Sequence, residues 1–64
     1  MIQYTVKKHN LYLGNTITNS FNTVSPTDAT RLSKREAIKL AKQLGARAQP
    51  VAMLANGVWS DCND

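Results

Sequence analysis

Sixty-four residues allow one domain, and a chain this short buries only roughly 60 % of the surface its unfolded form exposes, leaving about 3–5 kcal/mol of net stability from the core alone. Cys62 is the one cysteine, which excludes an internal disulfide, and no Cys/His cluster offers a structural metal. Eight Lys and Arg face four acids, two of which (Asp61, Asp64) fall in the last four positions, so residues 1–60 carry a surplus of six positive charges, a field that favours polyanions and acidic protein surfaces.

Ile2, Tyr4 and Val6 alternate with Gln3, Thr5 and Lys7, the period of a strand with one buried face. Lys7-Lys8-His9-Asn10 interrupts it as a polar loop. Leu11 and Leu13 then alternate with Tyr12 and Gly14 in a second strand. With that loop, Val6 is expected to pair with Leu11, Tyr4 with Leu13 and Ile2 with Asn15, which gathers the apolar residues on one face. A turn at Gly14-Asn15 is the rival. It pairs Tyr12 with Ile17 but sets Lys8 against Phe21, and the first register is preferred.

Residues 14–30 are rich in Asn, Ser and Thr, with Ile17, Phe21 and Val24 as the large apolar anchors. The expectation is a second strand continuing to Thr18 and then a pinned loop, since Ser25-Pro26 disfavours helix. The helix signal is strong. Ser33 is an N-cap with Glu36 three positions on, a capping box, and Leu32 precedes it. Ala37, Leu40, Ala41 and Leu44 share a stripe with Ile38 at its edge, and Gly45 suits a left-handed C-cap. These signals place a helix at 34–44. Val51 and Met53 suggest a last strand opened by Pro50, Asn56-Gly57 a tight turn, and Val58-Trp59 a brief return. The expected domain is 1–59, with 60–64 a flexible polar tail.

The fold class is therefore α+β: a ββαβ domain, with a three-stranded antiparallel sheet and one amphipathic helix on one face. The longest apolar run, Val51 to Ala55, is far short of the about 18 residues that span a bilayer. The start lacks the charged and apolar blocks of a signal peptide, so a cytoplasmic protein with a reduced thiol is expected, with no membrane partner.

The strand, polar turn and Tyr12-Leu13 pair, followed by "ATRLSKREAIKLAKQLG" at 29–45, carry a resemblance. Over residues 2–54 the chain resembles the short early or accessory proteins of phages and prophages of Gram-positive bacteria. The resemblance implies a mobile-element origin, a bacterial host cell and a non-enzymatic role. It transfers no functional residue.

Reactive groups are sparse: one His, one Cys and four acids. His9 falls in the hairpin loop and Cys62 in the tail, with no third group to orient a Cys–His pair. Glycines 14, 45 and 57 are scattered and make no phosphate loop. No enzyme and no cofactor is expected. Trp59 reads as a lid on the core, or, if exposed, as a binding hot spot.

What remains is the helix's other face. Arg35, Lys39 and Lys42 stand at spacings where like charges repel, with Arg31 and Lys34 flanking and only Glu36 opposed in sign. Tyr12, pointing away from the helix side onto an open sheet face, and Phe21 in the loop complete the expected partner-binding residues. Three readings compete. The first is an accessory protein binding an acidic surface of a host protein, as an inhibitor of a defence or nucleic-acid-processing system (anti-CRISPR or anti-restriction type). The second is a small basic nucleic-acid-binding protein, and the third is a self-assembling structural subunit. Open sheet edges, the Pro50 strand among them, also suggest a homodimer.

Overall fold

The computed structural model describes residues 2–62. In chain order the elements are β1 (Ile2–Lys8), β2 (Leu11–Asn15), β3 (Ser20–Thr23), α1 (Lys34–Leu44), β4 (Arg47–Met53) and β5 (Trp59–Asp61). The strands form one curled antiparallel sheet in the order β3-β2-β1-β4-β5. The α+β class holds, but the three expected strands are five. β3 lies in the stretch read as a loop, and β5 takes Ser60 and Asp61 out of the expected tail. Cys62 is also tied in, its N–H donating to the Pro50 carbonyl at 2.8 Å. Positions 63 and 64 of that tail lie outside the described residues.

The first hairpin closes through a loop of His9 and Asn10, with Lys8 opposite Leu11 and Lys7 opposite Tyr12. This corrects the expected register by two residues. His9 adopts φ 57°, which lets the tighter turn form. A slip of two preserves the pleat, so Tyr4, Val6 and Leu13 still face the helix. Val6, Leu13, Ala37 and Ala41 are the buried centre there, with Tyr4, Phe21, Leu32, Leu40, Leu44, Ala46 and Ala48 packed around them.

β1 and β2 diverge beyond Lys7 and Tyr12, and the chain before α1 fills the wedge. Leu32 exchanges both backbone hydrogen bonds with Tyr4, at 2.7 and 3.1 Å. Thr30 donates its N–H to the Leu13 carbonyl at 3.0 Å. A second correction concerns Pro50. Pro50 was expected to open a strand on the sheet's edge, yet it sits inside β4, between β1 and β5. Tyr4 is its partner on β1, with backbone groups turned to Leu32, and the missing Pro50 N–H falls on the β5 side, where the Pro50 carbonyl accepts the Cys62 N–H and Gln49 Nε2 donates to the Cys62 carbonyl in the proline's place.

The sheet's other face is not open. Thr5, Gln49, Val51 and Tyr12 are all buried on it. The sheet curls so that Tyr12 on β2 reaches Asp61 on β5, its hydroxyl lying 2.8 Å from each carboxylate oxygen. Gln49 fastens the end of β5 by donating from Nε2 to the carbonyl oxygens of Cys62 and Pro50, both at 3.1 Å.

Candidate functional site: the outward face of the helix

α1 has the predicted bounds because its end signals are local. Ser33 Oγ accepts the Glu36 N–H at 3.3 Å and donates to Glu36 Oε1 at 3.1 Å. The capping pair therefore closes through the serine hydroxyl. Gly45 ends the helix at φ 65°, in the left-handed region, where its N–H donates to the Ala41 carbonyl. Ala37 and Ala41 are buried against the sheet, which fixes which side of α1 faces out.

That outward side carries two rows at i, i+4 spacing: Lys34, Ile38, Lys42 and Arg35, Lys39, Gln43. All six are exposed and line one shallow concavity of about 730 Å³. Among the described residues, Lys34, Arg35, Lys39 and Lys42 make no ion pair and no hydrogen bond through their side chains. Glu36, the one acid on α1, is occupied by Ser33. Ile38, 38 % exposed, stands among the four cations. Four of the expected contact residues are thus brought together with their charges uncommitted.

The other three are placed differently. Arg31 flanks the face but is engaged. Its guanidinium carbon lies 4.7 Å from the centre of the Trp59 ring, and Nη1 donates to the Thr27 carbonyl at 3.1 Å. Trp59 is half-buried beneath it, and its backbone N–H donates to Thr27 Oγ1 at 3.1 Å. Tyr12 is corrected outright: it does point away from α1, but at 5 % exposure it is no docking residue. Phe21 is half-buried on the helix-side core, with the Lys8 ammonium 6.0 Å above its ring. The Lys8–Phe21 proximity that counted against the rival turn is a cation–π contact here.

Tyr12 instead belongs to a clasp. Lys7 Nζ lies 3.1 Å from Asp61 Oδ2 and 4.9 Å from the centre of the Tyr12 ring. The Tyr12 hydroxyl pKa is raised, first by burial and then by the bond to Asp61. The Lys7 pKa is raised by its hydrogen bond to Asp61 and, after that, by Tyr12.

A second basic group escaped the sequence reading. Lys7, Lys8, His9 and Arg47 meet Gly45 and Ala46 around a concavity of about 290 Å³ at the end of α1. Lys8 Nζ donates to the Leu44 carbonyl at 3.4 Å, where a cation meets the negative end of the helix. Lys7 and Arg47 face each other across β1 and β4. Lys7, Lys8 and His9 are adjacent in the sequence, but only strand register brings Arg47 to them, so no local pattern announces the group.

Among the described residues, no three His, Cys, Asp or Glu side chains come together as a metal site, and no helix is long and apolar enough to cross a membrane. No protein-family pattern, characterised protein or solved structure matches the chain.

Proposed function

We propose that this is a non-enzymatic accessory protein that acts by binding, and that the outward face of α1 docks on an acidic surface of a host protein. The observation that carries the reading is the set of four uncommitted cations around Ile38. A face kept only for solubility is better served by mixed signs, since like charges at i, i+3 and i, i+4 cost a helix a few tenths of a kcal/mol per pair. A purely phosphate-binding face has no use for an exposed aliphatic residue among its cations, whereas a protein contact gains from desolvating one. The resemblance of residues 2–54 to phage and prophage accessory proteins supports a bacterial host. Inhibition of a defence or nucleic-acid-processing system is the activity that fits that origin.

The test is capture from a bacterial lysate with Arg35, Lys39 and Lys42 together changed to Glu. The wild-type chain is expected to retain one partner after nuclease treatment, and the triple variant to lose it while still melting in one cooperative transition. Undiminished capture by the folded variant would reduce the face to a solvated surface. Capture abolished by nuclease would transfer the reading to nucleic acid, whose binding falls steeply with salt.

A further inference from the structure

Four surfaces invite a partner: the outward face of α1, the basic corner around Lys8 and Arg47, the outer edge of β3, and the exposed apolar residues Ile2, Met53, Leu54 and Val58. The edge is blunted. β3 is short, and its register with β2 shifts twice within a few residues. The corner's cations are partly spent on Asp61 and Leu44. For the apolar group, nothing indicates what covers it. The face of α1 specifies a shape and a charge together.

We propose that α1 pairs side by side with an acidic amphipathic helix of the partner protein. This inference rests on the reading of the α1 face as the docking surface and names the partner element that fits it. Lys34–Ile38–Lys42 and Arg35–Lys39–Gln43 are the parallel i+4 ridges of a helix surface, and the concavity between them is a groove of the kind that takes one ridge of a second helix. α1 is eleven residues long, so the groove offers about 16 Å, roughly three turns. Ile38 supplies the apolar contact at mid-length, at the edge of the buried stripe, with Lys34 and Lys42 in its own row and Arg35 and Lys39 in the next row outward. The complement is a helix with a narrow aliphatic stripe that carries Glu or Asp along and beside it, which meets apolar with apolar and each cation with a carboxylate. A lipid surface fits poorly, because a membrane-bound helix uses its broad apolar side, and in α1 that side is buried on the sheet through Ala37 and Ala41.

The experiment uses the full chain and synthetic probes. One peptide is a helix of roughly eighteen residues, long enough to form alone, with a Leu stripe bordered by Glu. A second has the same composition in shuffled order, and a third probe is a short DNA duplex. Binding is read by fluorescence anisotropy, and the contact by amide chemical shifts of the labelled chain. The amphipathic peptide is expected to bind roughly tenfold or more tighter than the shuffled one, the margin that burying one aliphatic pair supplies. Shift changes should centre on residues 34–43. Ile38→Ser should narrow the gap between the peptides, and replacing the peptide's Leu stripe with Ser should do the same with the chain unaltered. Equal binding of both peptides would overturn helix pairing and leave acidic docking standing. Binding of the duplex alone would overturn both. Binding of no probe would overturn helix pairing, while capture from lysate still decides the broader reading.

Discussion

Gly14 shows how far single residues govern this fold. A Cβ there would run into the Asn22 side chain and the Thr23 methyl, because the shifts in register between β2 and β3 press the two strands together at that point. Gly14→Ala is expected to destabilise by about 1–3 kcal/mol, the usual cost of overpacking, and Asn22→Ala in the same chain should recover part of it. Urea midpoints of the single and double variants check both. Ser33 acts through one amide and one carboxylate, so Ser33→Ala should cost about 1 kcal/mol on the same measurement.

Among the elements, α1 was legible because its cap, its stripe and its terminating glycine all lie within thirteen positions, 33–45. β3 and β5 were not. They are four and three residues long, and each carries a single large apolar residue, Phe21 or Trp59. Their strand character comes from the neighbour they pair with, which no local pattern records. Pro50 misled for the same reason: its place in β4 is permitted by the Gln49 side chain, which gives the Cys62 carbonyl at β5's end the donor that the proline lacks. The candidate site divides alike. The cations of α1 follow from helical spacing, whereas the burial of Tyr12 follows from the curl of the sheet. Charge reversal should distinguish the helix ends. Arg35→Glu, near the N-terminus, should leave stability unchanged or raised, and Lys42→Glu, in the last turn, should lower it by about 0.3–1 kcal/mol. Paired thermal melts at low salt measure the difference.

For the whole molecule, the Lys7–Tyr12–Asp61 clasp joins β1, β2 and β5 and predicts an alkaline limit. Tyr12 holds its proton above the ordinary tyrosine value of 10.0, and Lys7 above the ordinary lysine value of 10.5. In the unfolded chain both groups lose protons first, so above those ordinary values the unfolded state binds fewer protons and stability falls as pH rises. The clasp's contribution is fully present below that window and is lost as pH climbs through the raised values. Melting temperatures should turn down from about pH 10 upward, and less steeply in Tyr12→Phe, where the phenol no longer takes part.

The span of sequence that the Tyr12–Asp61 bond closes also bears on the tempo at which the molecule forms. The bonded residues are separated by 49 residues, and the Trp59–Thr27 bond closes another 32. Neither contact is available until most of the chain has already been drawn together, so the entropy of closing a long loop precedes any return from the bond itself. A helix such as α1 forms within about a microsecond, but pairing of this range belongs with domains that fold in milliseconds to seconds. Trp59, the only tryptophan, sits at that closure. Stopped-flow fluorescence should therefore show one slow exponential for its burial, with Tyr12→Phe accelerating unfolding more than it slows refolding if the clasp closes after the rate-limiting step.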